Sequence, residues 1–463
     1  MWQAESTNKT KDKSKLTFSL CCHAGRVSLP RVKKTPQFLD VLLKTSTTFR
    51  HNIRRVNSAF AFTSTGAKVD ESINNKPGPY TYRVHGQNCH RLRSLLPTPG
   101  EQPKYSQMYI FDTANEVKNR IRSLTGSISS TSLDEKVVSG LKEMLDSTND
   151  LTKIYRSARD RYESGKPTDL TIRLVGQRHR GKQYDLPRSE EIAGLIVGDL
   201  SSTTGARDII LELQSNDLQR ISELHPLYMA LQYPLLFPYG EDGYHVNIPY
   251  ATANQKAIKR ECVTMLEYYA YQIQTRLSEG MTLIRSGRLL HQYAVDAYMA
   301  IEQERMGWYR RNQKTLRADV YNNICDAIDR GDSDAKQVGR KVILPSSFTG
   351  GPRYMTQNYQ DAMAICRTFG NPDLFITMTA NPKWEEIKDH LERSRNSSAN
   401  DRPNLICRVF KMKLDALMAD LWDGDFFGEA ESSKSLNYFQ LYIKIIILHF
   451  NQINVKPTAS YTI

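Results

Sequence analysis

The sequence predicts a mixed α+β protein with a β-rich N-terminal region and a helical middle. Short runs of alternating or β-branched residues, bounded by Gly and Pro, lie mainly between residues 57 and 213. From residue 254 to residue 330, apolar residues instead recur at the three- and four-residue spacing of a helix. With 463 residues, of which 40% are hydrophobic and 24% charged, the chain is expected to fold into two or three domains.

The charge balance favours a polyanionic partner. Lys and Arg number 63 against 50 Asp and Glu, a formal net charge of +13, and basic proteins gain affinity for nucleic acids by releasing counterions. A basic balance does not by itself identify the partner, since many basic proteins never bind a nucleic acid. The seven cysteines are odd in number and irregularly spaced, which favours a reducing compartment over a disulfide framework. Because no secretion signal and no apolar run of bilayer length is recognised, an intracellular protein without a membrane partner is expected.

A basic segment lies near the N-terminus. Residues 26–55 contain eight basic residues and one acidic residue, with Phe38, Leu42 and Phe49 as apolar anchors. Two interpretations are equally consistent with this pattern. The segment is either a solvated helix face or a surface that contacts phosphates.

The next two segments differ in their periodicity. Residues 57–112 are predicted to form a small sheet, because the runs NSAFAFTS, YTYRVHG and QMYIFD alternate or are rich in β-forming residues. Residues 113–163 are predicted to be helical, with the Ser-rich stretch 127–132 joining two helices. One predicted helical face comprises Leu141, Met144 and Leu145.

Further strands and a connector follow. The runs TIRLVG, LIVGDL and DIILEL predict three strands, the last at residues 208–213. Pro226, Pro234 and Pro238 interrupt the aromatic-rich stretch that begins at His225. Because proline opposes a continuous helix, this stretch is predicted to be an extended connector packed on the core, with a domain boundary near residue 250.

The remaining elements are predicted from helical spacing and from breakers. KVIL at 341–344 predicts a short strand, SSFTGGPRY a loop, residues 357–369 a helix ended by Gly370 and Pro372, and residues 374–379 a strand. A last helix is predicted to open at Asp401 and Pro403. The predicted apolar stripes are Leu266, Tyr269 and Ile273; Leu289, Tyr293 and Val295; and Leu405, Val409, Met412 and Ala416.

The final 32 residues have a different character. They contain no Asp or Glu but six Ile, together with many Asn, Lys, Tyr and Phe, amino acids with A/T-rich codons. This composition favours the hypothesis that the tail is translated from a shifted frame or an intron. The predicted segments are therefore a flexible basic lead-in at 1–17, domains at 18–250 and 251–431, and an atypical tail at 432–463.

Two short segments have the residue types of a nucleic-acid interface. Trp308 and Tyr309 precede a basic run, as in single-strand binding surfaces that combine stacking with phosphate neutralisation. Helical spacing would place three of the run's cations, Arg310, Lys314 and Arg317, on one face, although a solvated helix face is at least as consistent. The loop that follows offers hydroxyls, backbone amides and one arginine, but lacks the lysine of a P-loop, and a structural turn is an equal alternative. The candidate DNA-binding residues are Arg310, Arg311, Lys314, Arg317, Ser347, Thr349, Arg353 and Tyr354.

No catalytic or complete metal site is predicted from spacing. No His-hydrophobe-His pair, HExxH, GxSxG or Walker A motif is present, and the ten histidines are isolated in sequence. Cys21 and Cys22 form a cysteine-dense spot that could be part of a zinc site, but four ligands are needed, and reduced thiols in a small core are favoured.

Long strings of the sequence resemble one family. VILPSSFTGGPRYMTQNYQDAMAICRTFGNPDLFITMTANPKWEEI at 342–387 is similar to the helicase-like N-terminal region of Helitron transposons, the eukaryotic rolling-circle elements. CCHAGRVSLP at 21–30, RISELHPLYMALQYPLLFPYGEDGY at 220–244 and GRLLHQYAVDAYMAIEQERMGWYRRNQKTLRADVY at 287–321 resemble the same family in the same order. The resemblance covers roughly residues 18–431.

The resemblance implies a fold and an activity. Proteins of this family join a rolling-circle initiator nuclease to an ATP-dependent 5′-to-3′ DNA helicase, so residues 251–431 would include the start of an initiator-like α/β nuclease domain. In that nuclease a His-hydrophobe-His pair holds a divalent cation such as Mg²⁺ or Mn²⁺, and tyrosines attack the DNA. The strand with Phe375, Thr377 and Thr379, followed by Asn381, resembles the first initiator motif.

The sequence departs from the family pattern where the chemistry would lie. After FGEAES the chain reads SKSLNYFQLYIKIIILHF, without the paired histidines, and the tyrosine helix and helicase are not recognised. Trp2 and Glu5 resemble residues that follow a CxxC pair in the family, so a partner pair for Cys21 and Cys22 would lie upstream. The expectation is a truncated, catalytically inactive transposase fragment that binds DNA, in particular single-stranded DNA, in the nucleus and without a cofactor of its own. The alternative is a host-retained, non-enzymatic module that binds protein or nucleic acid.

Overall fold

The computed structural model forms two compact units. The first comprises residues 1–301 with 396–402, and the second comprises residues 302–395 with 403–463. The predicted boundary near residue 250 lies inside the first unit. The described residues are 18, 22–23, 25–70, 72–75, 82–86, 88–123, 134–165, 170–174, 193–197, 209–212, 218–251, 260–276, 279–316, 342–371, 374–393, 398–422, 430–437 and 443–450. The lead-in, the Ser-rich stretch 127–132, Cys21, Arg317 and Pro372 lie outside them.

The first unit begins with two helices that share one residue as a cap. Helix α1 (Gln37–Thr45) ends at Ser46, whose backbone N–H donates to the Leu42 carbonyl, and α2 (Thr47–Phe60) begins there. The Ser46 hydroxyl accepts a hydrogen bond from the Phe49 N–H at 3.1 Å and so satisfies one of the unpaired donors at the start of α2. The apolar positions of α2 that face the core are Phe49, Ile53, Val56 and Phe60.

The N-terminal region contains strands, but they are short and the prediction of a β-rich region is wrong. Residues 57–60 of the NSAFAFTS run close α2, because Val56 and Phe60 continue its buried face at helical spacing. QMYIFD is not a strand either, since Tyr105–Tyr109 forms a 3₁₀ turn in which the Gln107 side chain accepts from the Lys104 N–H at 3.1 Å. The strands present are β1 (Ser64–Thr65), β2 (Lys68–Asp70), β3 (Arg83–His85), β4 (His90–Leu92) and β8 (Gln219–Arg220), paired antiparallel as β1-β4-β8 and β2-β3.

Three helices follow, as the spacing of apolar residues predicts. They are α3 (Glu116–Arg122), α4 (Glu135–Thr148) and α5 (Asp150–Gly165). Asp134 caps α4 by accepting from the Lys136 N–H at 2.9 Å. The predicted face of Leu141, Met144 and Leu145 is buried, which confirms that interpretation.

The three strands predicted from TIRLVG, LIVGDL and DIILEL are confirmed as one antiparallel sheet. β5 (Leu170–Leu174) is central, between β6 (Ala193–Val197) and β7 (Ile209–Glu212). Ile172 and Leu174 of β5 and Leu211 of β7 are buried in the main core. The strand order is β6-β5-β7, so the first strand in the chain lies in the middle.

The proline-rich stretch is buried, as predicted, but it is not extended throughout. Residues Tyr228–Gln232 form the short helix α6 between the first two prolines, and successive turns follow, with the Phe237 N–H donating to the Tyr233 carbonyl at 3.0 Å. Proline excludes a long helix and still leaves room for a single turn between two prolines. The side chains of Tyr228, Leu231 and Tyr233 lie in the core.

The helices after residue 260 confirm the predicted helical middle but not all of its faces. They are α7 (Met265–Gln272), α8 (Thr282–Arg285) and α9 (Arg288–Arg311). Leu289 and Tyr293 are buried as predicted, and Tyr269 is buried, but Leu266 is 47% exposed and Ile273 is 40% exposed. The stripe was misassigned because nearly every position of α7 is apolar or aromatic, so that periodicity cannot choose among faces.

The second unit has a three-stranded antiparallel sheet with helices beside it. The predicted strand 374–379 is confirmed as β9 (Leu374–Thr379), which pairs with β11 (Ile443–Phe450), and β10 (Ala430–Asn437) lies beyond it. Helix α12 (Pro403–Trp422) packs Phe410, Leu414 and Leu421 around Met378 of β9. Ala416 is exposed, so Leu414 takes the core position that spacing assigned to it.

Two further predictions in the second unit are corrected. In the strand predicted at 341–344, the described residues 342–344 are not a strand, because the backbone groups of Ile343 bond to a side chain instead of a neighbouring strand. The helix predicted at 357–369 begins five residues earlier, as α10 (Pro352–Phe369), since proline fits the first helical position. The remaining helix is α11 (Glu385–Arg393). Among the described residues, no helix is both long and apolar enough to span a bilayer.

Candidate nucleic-acid interface

The C-terminal end of α9 presents aromatic and basic side chains to solvent. Trp308 is 41% exposed, and its ring contacts the Tyr309 ring edge-on at a centroid distance of 5.5 Å. Arg310 and Arg311 are exposed in the last helical turn, where positive charge is favoured by the helix dipole. The backbone N–H and the side-chain amide of Asn312 both bond to the Trp308 carbonyl, at 3.0 and 2.8 Å, and end the helix.

The predicted single face of Arg310, Lys314 and Arg317 is not formed. Helix α9 ends at Arg311, and Lys314 lies exposed in a separate 3₁₀ turn, Lys314–Leu316. Helical spacing therefore does not apply beyond residue 311. Arg317 lies outside the described residues.

The loop predicted to grip phosphate consists of two tight turns. The Phe348 N–H donates to the Pro345 carbonyl at 3.0 Å, and the Gly351 N–H donates to the Phe348 carbonyl at 3.0 Å. Gly350 has φ +81°, a left-handed conformation that favours glycine. Ser347 and Thr349 are exposed, whereas Arg353 and Tyr354 are half-buried in the first turn of α10.

Gln313 joins these two segments, which are far apart in sequence. Its side-chain oxygen accepts from the Ile343 N–H at 2.8 Å, and its side-chain nitrogen donates to the Ile343 carbonyl at 3.0 Å and to the Tyr309 carbonyl at 2.7 Å. One helical turn earlier, the Tyr309 ring meets the Phe348 ring edge-on at 5.8 Å. Residues 343–348 therefore run back along the end of α9, from residue 313 towards residue 309. Sequence reasoning missed Gln313, because a glutamine within a basic run has no distinctive pattern.

The strand that resembles the initiator motif lies at the edge of its sheet, apart from these contacts. Phe375, Thr377 and Thr379 of β9 pair in register with Ile447, Ile445 and Ile443 of β11. The Asn381 side chain accepts from the Lys383 N–H at 2.9 Å, and its carbonyl accepts from the Trp384 N–H, so Asn381 forms the turn that leads into α11. Within the part of the chain that the structure describes, no group of three or more His, Cys, Asp or Glu side chains could hold a metal.

The N-terminal candidates lie in the first unit. Cys22 is half-buried against the main core, with its sulfur 3.6 Å from the Phe18 carbonyl, while Cys21 lies outside the described residues.

In the basic segment 26–55, Arg50 is buried and its guanidinium donates to the Leu43 and Lys44 carbonyls. Other cations of the segment lie over aromatic rings, Arg26 over Tyr250, Lys33 over Tyr239 and Arg54 over Tyr82. These contacts favour the structural interpretation of the segment.

One histidine that is isolated in sequence has close partners in the fold. Asp296 of α9 accepts hydrogen bonds from Asn88 at 2.6 Å and from the Tyr233 hydroxyl at 2.8 Å, and its other contact is the His90 Nε2 at 2.7 Å. The His90 ring stacks on Tyr228 at 3.8 Å, and its Nδ1 faces the Tyr228 carbonyl at 3.0 Å. Burial raises the pKa of Tyr233 well above its ordinary value, and the Asp296 carboxylate raises it further. Because His90 and Asp296 are buried, this group stabilises the fold and cannot reach a macromolecular substrate.

Comparison with known proteins finds one family model that matches part of the chain. Residues 268–438 match the family model described as the Helitron helicase-like domain at the N-terminus. The match includes the end of α9, the 345–351 turns, α10, β9, α12 and β10. No curated protein matches the chain. The family match confirms the resemblance over these residues: the chain contains a Helitron helicase-like N-terminal region.

Proposed function

We propose that this region binds single-stranded DNA as part of a Helitron-type rolling-circle transposase. The observation that carries the proposal is the exposed Trp308 at the end of α9, flanked by the exposed cations Arg310, Arg311 and Lys314. An aromatic face stacks on any base, and such stacking contributes about 1–3 kcal/mol per base. The neighbouring cations neutralise backbone phosphates and release counterions.

The turns at residues 345–351 support the same proposal. Ser347 and Thr349 present exposed hydroxyls, and Arg353 follows in the first turn of α10. Hydroxyl, backbone amide and guanidinium donors are the groups that proteins use to contact phosphate oxygens without reading sequence. DNA bound here would therefore be held by its backbone and by stacked bases, with little sequence preference.

We further propose that β9 is the first strand of an initiator-like nuclease sheet and that this polypeptide holds DNA without cutting it. The antiparallel order β10-β11-β9, with α12 packed against Met378, supports the sheet. None of the ten histidines of the sequence forms a His-hydrophobe-His pair, and a divalent cation that polarises a phosphate needs such ligands. Divalent metal and ATP would serve other parts of a transposase of this family. A DNA partner makes the nucleus the proposed compartment.

The test is a fluorescence-anisotropy titration with labelled oligo(dT) at two salt concentrations. We expect binding that weakens with salt, a loss on the order of tenfold for Trp308→Ala, from about 1–3 kcal/mol of stacking, and a shallower salt dependence for the double variant Arg310→Ala/Arg311→Ala. Lys388→Ala, an exposed cation on α11, is the matched control and should bind as the parent protein does. Weak, salt-insensitive binding would reject the proposal, and Mn²⁺-dependent nicking of the same oligonucleotide would reject the claim that the DNA is not cut.

A second function, a non-enzymatic protein-interaction module, is favoured by one observation on α10. Met355, Tyr359 and Met363 lie at four-residue intervals along this helix and are all exposed, with Tyr359 at 65%. A contiguous apolar row on a surface is typical of protein contacts. Salt-insensitive oligonucleotide binding together with an unchanged affinity of Trp308→Ala would favour this function over the first.

A further inference from the structure

We infer that Gln313 is a positioning residue that makes one binding surface out of the end of α9 and the turns at 345–351, so that a bound strand contacts both. This inference rests on the proposed function and specifies how its site is assembled. The two segments are 30 residues apart at the Gln313–Ile343 contact, and they supply different groups for binding DNA. The end of α9 supplies the exposed ring and the cations, and the turns supply the hydroxyls.

The hydrogen bonds of Gln313 account for the junction. A primary amide has one carbonyl oxygen and two N–H donors. In Gln313 the oxygen accepts from the Ile343 N–H, and the nitrogen donates to the carbonyls of Ile343 and Tyr309. The amide thus holds the backbone N–H and carbonyl of Ile343, a buried residue, against the last turn of α9. Since its donors and its oxygen are already engaged, Gln313 would act on DNA through Ile343 and would not contact it.

A second contact fixes the direction of the returning segment. Tyr309 lies one helical turn before Gln313, and its ring meets Phe348, five residues after Ile343. Two anchor points one turn apart allow the segment little rotation about either of them. Ser347 and Thr349 flank Phe348 in the chain, so the Tyr309–Phe348 contact sets their position relative to Trp308.

The inference predicts that substitutions at Gln313 and at the Ser347 and Thr349 hydroxyls have non-additive effects on the affinity for DNA. In Gln313→Leu all three hydrogen bonds are lost at nearly unchanged volume, so the turns should no longer be held beside α9. Gln313→Glu keeps the acceptor for the Ile343 N–H and loses both donors, so its effect should be intermediate. The matched control is Gln357→Leu, the same chemical change at an exposed position of α10.

The experiment is a double-mutant cycle on oligo(dT) binding, combined with hydrogen exchange. We expect Gln313→Leu to weaken binding about fivefold or more and Gln357→Leu to leave it unchanged. Ser347→Ala/Thr349→Ala should weaken binding in the parent protein but have little further effect in the Gln313→Leu background, because the turns are already displaced. In the absence of DNA, the Ile343 amide should exchange faster in Gln313→Leu, whereas the amides of α10 should exchange as in the parent protein.

The outcomes separate this inference from the proposed function. If the parent protein does not bind oligo(dT), the proposed function and the strand-spanning surface are both rejected. If the parent protein binds but the losses from Gln313→Leu and from the hydroxyl substitutions simply add, the proposed function stands and this inference is overturned. Should Gln313→Leu fail to fold, judged by circular dichroism, the same cycle with Gln313→Glu decides the question.

Discussion

His90 and Asp296, 206 residues apart in sequence, face each other at 2.7 Å in the core of the first unit. The Tyr228 carbonyl can only accept, so the ring nitrogen that faces it must carry a proton. The Asp296 carboxylate, which faces His90 Nε2, also accepts from Asn88 and Tyr233. This arrangement connects β4 and the proline-rich stretch to helix α9.

Removing the Asp296 carboxylate should therefore destabilise the first unit strongly. Asp296→Ala leaves the buried Asn88 amide and Tyr233 hydroxyl without an acceptor and removes the partner of His90, and breaking such a pair costs about 3–5 kcal/mol. Asp296→Asn keeps one oxygen and should cost less. Urea denaturation followed by fluorescence measures the change in the free energy of unfolding. Glu163→Ala, at an exposed position of α5, is the control and should change it by less than about 0.5 kcal/mol. Equal losses for the two alanine variants would contradict the assigned role of Asp296.

Glu241 should make stability fall as the pH rises. Burial raises the pKa of its carboxyl to about 7 from an ordinary value of 4.5, although its side chain accepts from the Tyr239 N–H at 3.2 Å. The folded state then binds more protons than the unfolded state between these pH values, so the contribution is fully present below about pH 4.5 and is lost as the pH rises to 7. The free energy of unfolding measured from pH 5 to 8 should decline by on the order of 1–2 kcal/mol in this window because the carboxyl is only half-buried.

The variant Glu241→Gln isolates this contribution. It removes the titrating group, so the difference in stability between it and the parent protein should change with pH over this range. His51 acts in the opposite direction, because burial lowers its pKa from 6.5 and stability then rises as the pH increases towards that value. Since His51 is present in both proteins, its contribution cancels in the difference between them. A pH-independent difference between the two proteins would show that Glu241 does not titrate as described.

Arg120 is predicted to tolerate no substitution, including lysine. Its buried guanidinium donates to Glu116 at 2.8 and 2.6 Å and lies 4.2 Å from the centre of the Tyr109 ring. A lysine ammonium cannot reproduce the planar fork that bonds the carboxylate and stacks on the ring. Arg120→Lys should lower the free energy of unfolding by about 2–3 kcal/mol. Arg161→Lys, an exposed position on α5, should be neutral, and comparable losses at both positions would argue against the stacked geometry.

Helix α7 offers a direct test of which face is buried. Tyr269 contacts the Tyr293 ring edge-on at 6.0 Å in the core, whereas Leu266 is exposed. Tyr269→Ser should cost about 3 kcal/mol or more, because a large aromatic side chain is lost from a packed site. Leu266→Ser should change the free energy of unfolding by less than about 0.5 kcal/mol. Thermal unfolding of the two variants measures both effects. A large loss of stability for Leu266→Ser would instead support the buried face that helical spacing predicted.

Elements with strong local patterns could be predicted from the sequence, whereas the long-range contacts could not. Spacing identified helix α4 and its buried face, and β-branched runs identified β5 and β9, because these patterns depend on neighbours within a few residues. The alternation in NSAFAFTS wrongly predicted a strand at residues 57–60, since these residues also complete the buried helical face of α2. At KVIL no strand forms over the described residues 342–344, and the Gln313 amide bonds to the Ile343 backbone instead.

The candidate interface shows the same division. Sequence singled out both the basic aromatic run and the glycine-containing turns, and the structure places Tyr309 against Phe348. The sequence could not show that the run and the turns are in contact, because nothing about a glutamine and an isoleucine 30 residues apart indicates that they bond to each other. The assumed helical face of Arg310 and Lys314 failed for a local reason, since Asn312 ends the helix between them.

Ser46 is the whole connection between α1 and α2 at this N-terminal corner. Because this single residue caps the end of α1 and the start of α2, no loop is present that could accommodate an added residue. One inserted residue would turn α2 by about 100° about its own axis and draw Phe49 and Ile53 out of the core. Natural variants of this protein that differ in length should therefore carry their insertions elsewhere, and this corner is a poor place to attach a tag or to divide the chain.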